Sequence, residues 1–141
     1  MTEPVDRFSA MITQLCQSQG WQPDSIDEKY ALLRFSMESE RPKSLYIINY
    51  DSVIEFSVPS LAVFDSDDKI PHYLSTILLK RSALRKAGYW CLVEIEGKQV
   101  YTVMHNTRLN QLDGESFGRL VQALVSECDD FEETLLKMLD N

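Results

Sequence analysis

Apolar and polar positions along this chain follow two periods, and each change of period marks a change of element. Val5, Phe8, Met11, Ile12, Leu15 and Cys16 recur every three or four residues, which predicts an amphipathic helix beginning near Pro4 and stopping at Gly20. From Tyr30 the period becomes two. Ala31, Leu33, Phe35 and Met37 alternate with Tyr30, Leu32, Arg34 and Ser36, a strand with one apolar face. The polar stretch from Glu38 to Lys43, which contains Pro42, ends it as a turn. Leu45 to Tyr50 and Val53 to Val58 are β-branched and aromatic runs on either side of Asp51-Ser52, the spacing of a tight hairpin. If the second run passes Pro59 and reaches Phe64, Pro59 marks an edge or a bulge, because proline has no N–H to give to a ladder.

Ile70, Tyr73, Leu74, Ile77, Leu78 and Leu84 return to helical spacing, with Pro71 in the first turn and Gly88 past the end, predicting a second helix. Tyr89 to Glu96 and Gln99 to His105 then flank Gly97-Lys98, and glycine at the first central position predicts a type II′ hairpin turn. The last strand has the composition to run on as far as Leu112. From Phe117 the series Leu120, Val121, Leu124, Val125, Cys128, Phe131 and Leu135 holds one face of a long closing helix, with Asp113 as its N-cap and Leu112 and Phe117 as a hydrophobic staple. The resulting order is helix, three antiparallel strands, helix, two-stranded hairpin, long C-terminal helix. This is an α+β chain of one domain spanning residues 1–141, with its helices on one face of the sheet.

The leucine-rich segment Leu74 to Leu84, the hairpin Tyr89 to His105 and the stretch Leu109 to Leu139 with its helix opened by Asp113 resemble, in order and pattern, the class I type III secretion chaperones and the YbjN-like proteins. The resemblance implies a homodimeric binding module without catalytic residues, and for some members an extended segment of a partner protein bound across the surface. It assigns no individual residue a known role.

Composition narrows the classes further. The chain of 141 residues carries 22 acidic and 14 basic residues, a net charge of −8, which disfavours nucleic acid and anionic membranes as partners. It has neither a secretory leader pattern nor an apolar run of about 18 residues, so no membrane span and a cytoplasmic location are expected. Cys16, Cys91 and Cys128 are odd in number and set in apolar patterns, as buried free thiols would be.

Several fragments imitate chemistry and fail on their surroundings. Gly114-Glu115-Ser116-Phe117-Gly118 matches the G-x-S-x-G nucleophile elbow, but the histidine that must follow the serine is missing, since the two histidines are His72 and His105. Ser116 falls at the third position of a capped helix instead. Asp65, Asp67 and Lys69 begin like a calcium loop, yet Lys69, Ile70 and Thr76 stand where an oxygen ligand, the turn glycine and the bidentate glutamate belong. The histidines and cysteines lack zinc-ligand spacing. Glu127, Asp129, Asp130, Glu132 and Glu133 form an acidic run expected to be a solvated helix face. No phosphate-binding glycine loop occurs, so no catalytic residue, cofactor or metal is expected.

Lys80, Arg81, Arg85 and Lys86 are the one reversal of charge, four cations in a chain whose remainder sums to −12. Two readings stand: a complement to the dipole of the second helix's C-terminus, or a surface for an acidic partner or a neighbouring subunit. Trp90 follows on the next strand. Tyr89, Cys91, Val93 and Ile95 form one stripe there and Trp90 and Leu92 a second, more apolar surface than one face of a small sheet needs. Together these five residues, Lys80, Arg81, Arg85, Lys86 and Trp90, are the candidate partner-binding set of a non-enzymatic, homodimeric protein-binding module. The alternative is an accessory domain holding a small ligand between sheet and helices.

Overall fold

Asp6 opens the first helix, its Oδ1 accepting the Ser9 N–H at 2.7 Å and so satisfying one of the amides that a helix start leaves free. A computed structural model describes residues 6–139, so the expected start at Pro4 lies outside the described residues. Helix α1 runs Arg7–Ser18 and buries Phe8, Ile12, Leu15 and Cys16. The chain turns at Gly20, whose φ of 75° is left-handed.

Strands β1 (Ser25–Ile26), β2 (Tyr30–Phe35), β3 (Lys43–Asn49) and β4 (Ile54–Phe64) follow, then helix α2 (His72–Ala83), strands β5 (Tyr89–Ile95) and β6 (Lys98–Thr107), and helix α3 (Gly114–Leu139). All six strands form one antiparallel sheet in the order β1-β2-β3-β4-β6-β5. Four strands thus precede α2 rather than three. The extra one, β1, is two residues long and leaves no period to read.

Several turns differ from their sequence-based expectations. Lys43 is not a turn residue but the first residue of β3. The β3–β4 connection spans Tyr50 to Val53, closed by the Tyr50 N–H on the Val53 carbonyl at 2.9 Å. Between β5 and β6 the central pair is Glu96-Gly97, not Gly97-Lys98: Ile95 faces Lys98, and both central residues have positive φ, 51° and 81°. That is a type I′ turn, with glycine second. Pro71 caps α2 from outside. Strand β6 ends at Thr107, short of Leu112.

Strand β4 does continue through Pro59, with an irregularity against β6 between Pro59 and Val63. Beyond Ser57 it also parts from β3, where a proline costs no ladder bond.

The core lies between one face of the sheet and all three helices, filled by Ala31, Leu33, Ile47, Phe56 and Val103 from the sheet and by Ile12, Leu78, Phe117 and Phe131 from the helices. Asp113 caps α3 as expected, and reciprocally: its Oδ1 accepts the Ser116 N–H at 2.8 Å while its own N–H donates to Ser116 Oγ at 3.0 Å. The glycines of the apparent nucleophile elbow serve packing. Gln19, the C-cap of α1, donates from Nε2 to the Gly114 carbonyl at 2.7 Å, and a methyl group at Gly118 would overlap that side chain. The opposite face of the sheet carries no described helix. Leu32 and Val100 are buried there, apart from the core, by neighbouring side chains.

Candidate protein-binding surface

Helix α2 lies beside β5, antiparallel to it. Its C-terminal end is tied to the strand's start by the Trp90 N–H on Ser82 Oγ at 2.8 Å. At the other end, Ser75 Oγ and the Tyr101 hydroxyl of the neighbouring β6 are in hydrogen-bond contact. Leu74 and Leu78 anchor α2 in the core.

Four of the five predicted partner-binding residues lie on α2 or directly after it, and the structure divides the set. Arg81 forms a two-bond fork on Glu127 of α3, Nε to Oε2 and Nη2 to Oε1, each at 2.9 Å. Arg85 adds Nη1 at 3.1 Å from Oε1 and donates from Nη2 to the Ala123 carbonyl at 3.2 Å. Trp90 points inward against Phe131, with ring centroids 4.8 Å apart, and gives its Nε1–H to Glu127 Oε2 at 2.7 Å. Arg81, Arg85 and Trp90 therefore converge on one carboxylate that is 6% exposed. Burial alone would raise the pKa of Glu127, but the hydrogen bonds from Arg81 and Trp90 and the charges of Arg81 and Arg85 outweigh it and hold the carboxyl below its usual range. Lys80 and Lys86 are exposed and make no ion pair among the described residues.

The acidic run on α3 is consequently not a solvated face. Besides Glu127, Glu132 is 3% exposed and meets Lys43 of β3, itself 2% exposed, with Oε1 2.5 Å from Nζ. Its other oxygen accepts the Leu61 N–H at 2.9 Å where β4 has left β3. Asp129 accepts from Ser39 Oγ at 2.7 Å and pairs with Lys43 and Arg41 at 3.0 and 3.2 Å. Burial would raise the Asp129 pKa; Ser39, Lys43 and Arg41 together lower it. Only Asp130 and Glu133 remain exposed. Sequence held a signal for this. Lys43 shares its parity with the inward Leu45 and Ile47, and an inward lysine on a core strand requires a carboxylate.

What stays open on this side of the molecule is apolar. Leu79 is 66% and Leu84 88% exposed, and Tyr73 and Leu92 are also exposed. Leu84, expected in the buried stripe, caps the helix end instead. A groove of about 190 Å³ between α2 and the sheet is lined by Ser75, Leu78, Leu79, Trp90, Leu92 and Tyr101. Tyr89 and Ile95 are exposed on the uncovered sheet face, so the inward stripe of β5 is the one headed by Trp90.

Burial pushes the Cys91 thiol up to about 11, as it does Cys16, and Cys128 goes higher still, which keeps each protonated at neutral pH. Among the described residues no group of three or more His, Cys, Asp or Glu side chains is placed to hold a metal ion, and no helix is long and apolar enough to cross a membrane. A wider cleft of about 980 Å³ opens at the start of α1. Its charged lining, Arg7, Lys29 and Arg108 against Asp6, Glu28 and Asp51, balances to zero.

No known protein family matches the sequence, and no curated protein does. Among solved structures, a chain of the HopA1–SchA chaperone–effector complex is similar over 92% of this chain and 99% of its own, with a TM-score of 0.61 and 14% identity. The chaperone-like resemblance read from element order therefore holds in three dimensions, and at this identity it concerns the fold alone.

Proposed function

We propose that this chain is a non-enzymatic, cytoplasmic, chaperone-like module that binds another protein and works as a homodimer. The observation that carries the reading is the groove between α2 and β5: a chain with ample core leaves Leu79 and Leu92 exposed along it, with Leu78 and Tyr101 beneath, while Tyr73 and Leu84 stay exposed on the other flank of α2, and apolar side chains gathered in one groove mark an interface rather than scattered surface leucines. The fold supports it, since its solved neighbour is a chain of a chaperone–effector complex. The uncovered sheet face offers a second surface, broad enough for an extended partner segment. Lys80 and Lys86 would orient an acidic neighbour, while Arg81, Arg85 and Trp90 shape the surface from beneath through Glu127.

The test is co-purification from the native cell, identification of the associated protein, and reconstitution from the two purified chains. A stable complex in which a discrete partner segment resists proteolysis is the expected result. A chain that binds no protein and instead turns over a small substrate would overturn the reading.

A further inference from the structure

The face of the sheet that carries no described helix holds a pair of sulfurs. Cys91 of β5 and Met104 of β6 lie diagonally across the ladder, since Cys91 faces Thr102 and Met104 faces Tyr89. The Cys91 S–H donates to Met104 Sδ at 2.8 Å, and the Thr102 carbonyl oxygen stands 3.4 Å from the same Sγ. Both side chains are half-buried, so solvent reaches their edge, whereas Cys16 and Cys128 are sealed in the core. Glu55 shares this face, two residues along β4 from Ser57, which faces Met104. It is partly buried, with no ion pair and no donor to its carboxylate among the described residues. No lysine or arginine stands at the neighbouring outward positions, Tyr89, Val93, Ser57, Pro59, Thr102 and Asn106.

We infer that Cys91 and Met104 form a two-donor site for a soft monovalent metal cation, Cu(I) or Ag(I) in type, held between Sγ and Sδ. Thiolate and thioether are the donors that select Cu(I) over harder divalent ions, and two opposed sulfurs satisfy such a cation. The absence of any grouping of three His, Cys, Asp or Glu side chains among the described residues therefore leaves this chemistry open. The thiol proton lying between the two sulfurs marks the place the cation takes. On binding, that proton leaves for solvent, a sulfur–metal bond replaces the sulfur–hydrogen bond, and the thioether lone pair completes the pair of ligands. One positive charge replaces another, and no electron moves. Two metal–sulfur bonds of about 2.3 Å each need the sulfurs further apart than 2.8 Å. Met104 supplies that movement, being unbranched with three rotatable bonds. Burial and then the charge of Glu55 keep the proton on Cys91; the same charge favours the cation that takes the proton's place. The site lies on the opposite face of the sheet from α2 and stands apart from the protein-binding reading.

The native chain is titrated with Cu(I) under anaerobic conditions against a chromogenic Cu(I) chelator, and the product is weighed by native mass spectrometry. Ag(I) in chloride-free buffer repeats the mass measurement. One cation per chain is expected, with one proton lost. Cys91→Ser should abolish uptake while Cys16 and Cys128 remain as controls for thiols in the core. Met104→Leu keeps the thiol and nearly the same volume; it should weaken Cu(I) binding by at least about tenfold, the least that losing even an outer partner of a metal ligand costs. Met104→Ile repeats the test on a second side chain without sulfur, and circular dichroism checks that each variant is folded. Glu55→Gln should weaken binding by less than the Met104 variants do. A native chain that takes up no cation, or uptake that survives Cys91→Ser, would overturn the site. Met104 variants that bind as tightly as the native chain would overturn it equally, reducing Cys91 to an ordinary thiol.

Discussion

Helices α2 and α3 follow the same apolar period in sequence and meet opposite fates. Helix α3 places Phe117, Leu124, Cys128 and Phe131 wholly in the core and then turns part of its charged side inward as well. Helix α2 buries only Leu74 and Leu78 and turns leucine and tyrosine outward. A helix surrounded by its own chain can bury carboxylates, because strands and a neighbouring helix bring cations to both of its flanks. Glu127 and Glu132 are five residues apart, roughly 140° around the axis, so one faces α2 and the other the gap between β3 and β4. A helix at the margin of the fold has an outer side, and apolar groups there stay exposed.

The sharpest way to break this contrast is to truncate one apolar residue on each helix. Phe131→Ala removes the ring that packs on Trp90 and should cost about 3–5 kcal/mol of unfolding free energy, read from urea denaturation. Leu84→Ala, at 88% exposure, should change the same quantity by no more than about 0.5 kcal/mol. Comparable losses at the two sites would mean that α2 contributes to this core as heavily as α3 does.

The two flanks of α3 should differ from each other next. Glu132→Ala takes from Lys43, which is sealed from water, the nearer of its two carboxylates, leaving Asp129, and deprives the Leu61 N–H of its acceptor; together these losses should cost about 3–5 kcal/mol. Glu127→Ala leaves Arg81 and Arg85, with side chains 27% and 20% exposed, able to turn to solvent. Its cost should be roughly 1–3 kcal/mol, mostly from the orphaned indole N–H. Should Glu127→Ala prove the more damaging, α2 would be held by that carboxylate more than by Leu74 and Leu78.

How much of this was legible follows the same division. Period alone located α1, α2, α3 and strands β2 to β6, though not the two-residue β1, and Asp113 marked the start of α3, because local chemistry fixes those features. The length of β4 depended on tertiary pairing, and Pro59 announced only that something irregular would happen there. The acidic run misled, since spacing within one helix cannot show which cations other elements deliver. Likewise Arg81 and Arg85 read as free charge because their partner lies more than forty residues away.

Acid should separate the flanks from the apolar core. Glu127 and Asp129 both have pKa values lowered below 4.5 and 3.8. Their stabilisation is whole above those ordinary values and is lost as pH falls through the depressed ones. The unfolding free energy of the native chain should therefore drop below about pH 4.5, and Glu127→Gln should flatten part of that drop. An unchanged acid limb in the variant would show that the carboxylate's ionisation contributes nothing.

The smallest effect concerns the loop joining α2 to β5, where His105 of β6 touches the contrast between the helices. Its Nδ1 accepts the Gly88 N–H at 3.0 Å, and Gly88, at φ 85°, sits so close to Leu124 of α3 that a Cβ would collide with it. That one hydrogen bond thus fixes where the chain leaving α2 meets α3. It requires the neutral imidazole, because a protonated Nδ1 has no lone pair to offer. Burial, with no charged neighbour adding to it, lowers the His105 pKa from 6.5. The folded state therefore resists the proton that the unfolded chain takes up, so the stabilisation is complete above pH 6.5 and is lost as pH falls toward the depressed value. Urea midpoints measured from about pH 7.5 to about pH 5 should decline for the native chain. The His105→Asn variant, which keeps an acceptor but cannot titrate, should hold level over that range. Equal slopes for the two proteins would sink the assignment. A slope present only in the native chain would make His105 the point at which mild acid loosens the marginal helix while leaving α3 in place.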